Sequence, residues 1–261
     1  MGVSGSLVAD WLWKQTNVML KTSFRQLRLH CIQILCGKRS LSLDTLGSNI
    51  CILAPHPDDE AMGCGQLIAE CCRRKMACRV IVISDGAGSH QECCDADAAT
   101  ISSGRQASCR KAVECLGLAA DKLSFLGFPD GELQRIEGEI YERLMALLCD
   151  FKGAIFVPHD LEGWSAHLAV QRIGKRLAES TGSCLYSYCV WFYYSMPFCS
   201  FGKVKWSAAR VLQNENALAR KRAALAIYQN DKAPCGKPYA GVLPELLWKA
   251  VNGKREVYFE E

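Results

Sequence analysis

Apolar residues along this chain follow two regimes. From Leu20 they recur at helical spacing, as Leu20, Phe24, Leu27, Cys31, Ile34 and Leu35, with Lys21, Arg25 and Arg28 as a basic stripe beside them. The spacing predicts one amphipathic helix, or two, ending near Gly37-Lys38-Arg39. Such a segment either packs on the main domain or lies on an anionic membrane surface, and periodicity does not separate the two. From Asn49 onwards, short apolar runs alternate with amphipathic stretches. Residues 50–54, 79–84, 123–126, 154–157 and 185–191 read as buried strands; residues 62–75, 101–116, 139–150 and 166–179 read as helices. Strand–helix–strand alternation needs crossover connections, so the strands pair in parallel with helices on both faces. The predicted fold is α/β, a Rossmann-like three-layer sandwich with a mostly parallel sheet, preceded by an N-terminal helical segment. Residues 1–47 form the extension and residues 48–261 a single α/β domain. Every strand then ends at one edge of the sheet, where ligands of such folds bind, so the residues that follow each strand hold the candidate chemistry.

Composition narrows the functional classes. The chain has 261 residues, 49% apolar and 22% charged, which excludes a disordered or collagen-like protein. No window reaches the ~18 uncharged apolar residues of a membrane span. A net charge of +4 lacks the concentrated basic footprint of a nucleic-acid binder, so no nucleic-acid partner is expected. The 16 cysteines are scattered, some in adjacent pairs, and many sit in apolar runs as small buried hydrophobes do. With no leader pattern at the start and no paired C-x-x-C knuckles, they imply free thiols in a reducing cytoplasm. The membrane alternative for the first segment would make the protein peripheral at the inner face of a membrane. Nothing in the sequence sets the oligomeric state.

The chemistry concentrates after the first strand, in Pro55-His56-Pro57-Asp58-Asp59-Glu60. Three consecutive carboxylates repel one another unless a cation occupies the site. A neutral imidazole at His56 and a carboxylate three positions later can reach the same ion across a tight turn. This donor pair suits zinc, or another divalent metal, with a position left for water. A further carboxylate beside the ion could take that water's proton.

Ala54-Pro55-His56-Pro57-Asp58-Asp59-Glu60 resembles the signature of the PIG-L/LmbE zinc-dependent deacetylases, which remove acetyl groups from N-acetylglucosamine conjugates and related amides. Ile83-Ser84-Asp85-Gly86, Leu126-Gly127-Phe128-Pro129-Asp130-Gly131 and the stretch from Val157-Pro158 to His167-Leu168-Ala169-Val170 resemble further segments of that family. The resemblance implies zinc held by His56, Asp59 and His167, with Asp58 as general base. It implies an acetamido-sugar substrate, with roles in its binding for Arg105 and Asp130, and a place in polysaccharide biosynthesis. Asp85 is a candidate support for a metal-bound histidine.

Two departures bear on that expectation. Relatives usually carry a second histidine three residues before the final ligand; here Trp164 stands there, and Ala166 replaces the preceding aspartate. His159 and Glu162 lie nearby, so either of them replaces the lost donor or Asp58 returns its proton to the amine. Arg105 lacks the partner glutamate of its family helix, Ser108 taking that place. Trp164 and His159 are therefore candidate substrate-binding residues. The aromatic run Tyr186–Tyr194 reads either as a sugar-stacking surface or as a strand with core and edge aromatics. The alternative function is a catalytically weak or inactive sugar-binding protein of the same fold. A dinucleotide binder ranks last, because the acidic turn replaces the glycine-rich loop that phosphates need.

Overall fold

The computed structural model describes residues 22–90 and 95–261. Seven strands form one sheet: β1 (Asn49–Ala54), β2 (Ala77–Ser84), β3 (Leu123–Phe128), β4 (Ala154–Pro158), β5 (Cys184–Tyr188), β6 (Ala209–Leu212) and β7 (Glu256–Glu260). Their order is β3-β2-β1-β4-β5-β7-β6. The first five pair in parallel; β7 runs antiparallel to both β5 and β6. The α-helices of the described residues are α1 (residues 22–35), α2 (Asp59–Arg73), α3 (Ala98–Leu116), α4 (Glu137–Leu148), α5 (Ser165–Thr181), α6 (Phe192–Ser195), α7 (Glu215–Asn230) and α8 (Glu245–Val251), with short 3-10 turns between them. The α/β sandwich with a mostly parallel sheet is the fold that the alternating pattern predicts.

Strand β1 shows how the sheet builds two cores. Ile50, Ile52 and Ala54 point into the cluster shared with α2, α3 and α7, while Cys51 and Leu53 point into the cluster shared with α4 and α5. This period-two split, buried on both sides, explains why the strand reads as an unbroken apolar run. The chain winds from β1 outwards to β3, then restarts at β4 on the other side of β1. The crevice beyond β1 and β4 is thus the switch point, where α/β sheets bind ligands. All fourteen described cysteines are free thiols.

Helix α2 breaks at Cys64 (φ −130°), and a buried ion pair repairs the break. Lys221 Nζ donates to the Met62 carbonyl at 2.7 Å and to Glu256 Oε1 at 2.7 Å. Glu256 in turn accepts from the amides of Gln66 at 2.7 Å and Leu67 at 3.1 Å. The groups left over at a kink are therefore satisfied by α7 and β7. Lys221→Ala strands the Glu256 carboxylate without its counter-charge, and a loss of about 3–5 kcal/mol of stability is expected. A urea midpoint indistinguishable from that of the parent protein would show that the pair does not hold the kink.

The sequence reading and the structure differ at three places. The aromatic run leaves the sheet after Tyr188, because the amides of Val190 and Trp191 turn to donate to the Glu162 carboxylate. Strands β6 and β7 escape the sequence reading because β6 has four residues and the apolar run of β7, Val257-Tyr258-Phe259, only three. The helix over residues 22–35 forms, but it packs through Leu29, Ile32 and Cys36, while Phe24, Leu27, Ile34 and Leu35 face outwards. Leu20 and Lys21 lie outside the described residues. After this helix, Leu41, Leu43 and Leu46 enter the core beside α2. Among the described residues, no helix is long and apolar enough to cross a membrane.

Candidate active site

The turn after β1 and the first turn of α5 meet at the switch point. His56 Nδ1 lies 3.1 Å from Asp59 Oδ2, and His167 Nε2 lies 3.3 Å from the same oxygen. One donor atom from each of His56, Asp59 and His167 lies within 4.8 Å of the other two. The far side of each imidazole faces another carboxylate. His56 Nε2 is 3.2 Å from Asp130 Oδ1, and His167 Nδ1 is 3.3 Å from Glu162 Oε2, though without a well-aligned hydrogen bond. Carboxylates behind imidazoles are the usual way in which a metal-binding histidine is oriented.

These carboxylates are themselves held. Asp130 Oδ2 accepts from the Gly88 amide at 3.0 Å, and the Asp130 amide donates to Asp85 Oδ1 at 3.1 Å. Asp85 therefore supports Asp130, which faces His56. Gly86 takes φ +69°, which favours glycine, and its carbonyl accepts from Arg105 Nη1 at 3.0 Å. Arg105, buried on α3, also donates through Nη2 to the Pro57 carbonyl at 3.0 Å and to Asp58 Oδ2 at 3.1 Å.

Asp58 holds a backbone conformation that side-chain-bearing residues rarely adopt (φ 138°). Its amide donates to Glu60 Oε2 at 2.9 Å, and the Tyr228 hydroxyl of α7 donates to Glu60 Oε1. Glu60 and Tyr228 are both buried, so α3 and α7 hold the strained turn from two sides. Tyr228 lies far along the chain, and no sequence signal links it to this turn.

Burial and mutual charge set the ionisation of the group. Burial disfavours a charged His167, but Asp59 and Glu162 outweigh it and raise its pKa to about 10. His56 is likewise opposed by burial and raised by Asp130 and Asp59. Asp59 resists ionisation through burial, yet His167 and His56 hold it far below the usual carboxylate range. Burial pushes Asp58 up to about 7, against the pull of Arg105. The arrangement favours positive charge between Asp59 and the two imidazoles, which protons or a divalent cation can supply. Two imidazoles and one carboxylate form a donor set of the kind that catalytic zinc sites use. The residues present fit such an ion.

A cavity of about 430 Å³ opens over this group. It is lined by the polar residues His56, Asp58, Asp59, Arg105 and His167 together with Met62, Trp164, Trp191 and Leu243. Trp164, the residue before α5, is 49% exposed, and its ring centroid lies 5.0 Å from that of Trp191. Of the residues singled out in the sequence, His56, Asp58, Asp59, Arg105, Asp130, Trp164 and His167 all line this cavity. His159 does not. Its ring is buried between Phe192 and Phe259, and its Nδ1 accepts from the Leu161 amide, so it stands away from the group. Asp130 has one oxygen facing His56 and the other on the Gly88 amide.

Residues 51–178 match the family model described as PIG-L, GlcNAc-PI de-N-acetylase. The chain contains a PIG-L family domain. No curated protein matches it significantly. Among solved structures, the PIG-L fold here resembles a zinc-inhibited form of teicoplanin deacetylase (TM-score 0.62, 12% identity, 81% of this chain and 97% of that one). It also resembles an antimicrobial pseudoaglycone deacetylase (TM-score 0.59, 15% identity, 82% and 96%). A third is N,N'-diacetylchitobiose deacetylase from Pyrococcus horikoshii (TM-score 0.53, 14% identity, 87% and 81%). At such identities the likeness establishes the fold of the PIG-L domain, and its chemistry rests on the residues in the cavity.

Proposed function

We propose that the protein is a metal-dependent amide hydrolase that removes the acetyl group from an acetamido sugar carried on a larger conjugate. The observation that carries this reading is the convergence of His56, Asp59 and His167 beside Asp58, in a cavity with an aromatic wall. The deacetylase names of the structural neighbours and the family description support the same substrate class. Residues 48–261 are then the catalytic domain and residues 1–47 its extension.

His56, Asp59 and His167 would hold the ion, and a divalent cation of the zinc class bound there supplies Lewis-acid polarisation of the acyl oxygen and acidifies a water. Asp130 holds the His56 imidazole in orientation, and Glu162 stands behind the His167 imidazole as a charge partner. Arg105 anchors Asp58 through Oδ2, leaving the other carboxylate oxygen to take a proton from the attacking water. The water's oxygen joins the acyl carbon, the carbon–nitrogen bond breaks, and Asp58 returns the proton to the leaving amine, giving acetate and a free amino sugar. This second transfer falls to Asp58 because Trp164 occupies the usual place of a histidine and His159 is turned away. Trp164 and Trp191 offer faces on which the apolar side of a sugar ring can stack.

Acetate release from a panel of N-acetylglucosamine conjugates tests the proposal. Metal-loaded protein is expected to release acetate and chelator-treated protein to stop, with activity restored by zinc or another divalent ion added near one equivalent. Saturable binding of these sugars with no acetate released under any metal would instead favour the weak sugar-binding protein, which the tryptophan at position 164 suggests.

A further inference from the structure

Helix α1 presents an apolar face to the outside. It is anchored by Arg28, Leu29, Ile32 and Cys36, all buried, with Arg28 donating to the Met196 and Tyr194 carbonyls. Phe24, Leu27, Ile34 and Leu35 remain exposed, Phe24 at 59% and Ile34 at 63%. At helical pitch these four fall within an arc of roughly 100°, the width of a face that is normally covered. Surfaces of this kind mark interaction sites.

The surroundings of the helix identify what covers it. The described residues 22–43 contain Arg25, Arg28, Lys38 and Arg39 and no Asp or Glu, with Arg28 buried. Residues 180–214 and 246–255, which supply much of the surface α1 packs on, contain three basic residues each and no acid; β7 adds Val257 and Phe259 to that surface, and its Glu260 is paired with Arg210. Arg255 reaches along α1 to the carbonyls of Gln33 and Gly37. Lys254 and Lys249 line the two clefts between α1 and the domain, where the one acidic residue is Glu245. We propose that the outward face of α1 docks on an anionic lipid bilayer, its apolar side chains entering the interface and the basic collar meeting the headgroups. A second copy of the chain is the weaker occupant, because a symmetric pairing would set the same basic collar against itself. An anionic bilayer neutralises it instead.

The packed side of α1 is linked to the cavity wall. The Arg25 guanidinium lies 4.2 Å over the Tyr194 ring, Tyr194 packs edge-on to Trp191, and Trp191 lines the cavity. On the neighbouring segment, Leu243 lines the cavity while Pro244, Glu245 and Leu246 border the cleft beside α1. The docking itself does not depend on the hydrolase reading.

The test is co-flotation of the full chain with vesicles, read without any enzymatic assay. Vesicles of phosphatidylcholine with 30 mol% phosphatidylglycerol, on the order of the anionic content of cytoplasmic leaflets, are expected to bind about tenfold or more tightly than phosphatidylcholine alone, and 0.5 M NaCl to remove most of that preference. A Phe24→Ser, Leu27→Ser, Ile34→Ser protein is expected to lose binding by about tenfold or more at an unchanged melting temperature, since these side chains are exposed. Lys38→Glu with Lys249→Glu should abolish the preference for phosphatidylglycerol. Failure of the parent chain to float with anionic vesicles overturns the proposal. A dimer in light scattering that the serine substitutions disperse, without vesicle binding, would assign the face to a second copy.

Discussion

Asp59→Ala protein is expected to lose its divalent ion and, with it, all measurable acetate release. Asp59 Oδ2 is the atom both imidazoles approach, at 3.1 Å and 3.3 Å, so its removal takes away the common anionic partner as well as one donor. Loss of groups that merely orient metal ligands costs about 10–100-fold in affinity, and loss of a donor should exceed that. Metal content after gel filtration, by plasma emission, provides the measurement. The protein should still fold, because the turn keeps its hydrogen bonds to Glu60 and Arg105. Full metal content in this variant would remove Asp59 from the donor set.

Asp58→Asn separates the base from the ligands. The substitution is nearly isosteric and keeps a carbonyl oxygen for Arg105, so metal content and substrate KM should change little. The amide cannot take the water's proton at neutral pH, and kcat is expected to fall about 10²–10⁴-fold, the usual contribution of a positioned general base. Parallel measurement of metal content and kcat on the same preparation distinguishes this from a ligand defect. An unchanged kcat would exclude Asp58 as the group that takes the proton.

Much of this architecture is legible in the chain because two kinds of signal are local. The β1 run is buried on both faces, so five consecutive apolar residues announce it, and the crowded carboxylates after it announce charge that needs compensation. His56 and Asp59 are three positions apart, close enough for sequence to join them. His167 comes from another element, and only the resemblance to a family tied it to the first pair. Glu162, Trp191 and Tyr228 are less legible still. Each acts through a contact made by the tertiary fold, such as the turn of Val190 and Trp191 onto Glu162, and such contacts leave no periodicity. The outward stripe of α1 shows the limit of periodicity itself. Spacing identified an apolar face, but burial went to the neighbouring face, because Arg28, Leu29, Ile32 and Cys36 fit the domain surface.

X-ray absorption at the metal edge of the purified wild-type chain probes the convergence of His56, Asp59 and His167 most directly. About one divalent ion per chain, in a shell with two imidazoles, oxygen donors and no sulfur, is the predicted result. A metal content near zero after loading, or a shell without imidazole or dominated by thiolate, would contradict it.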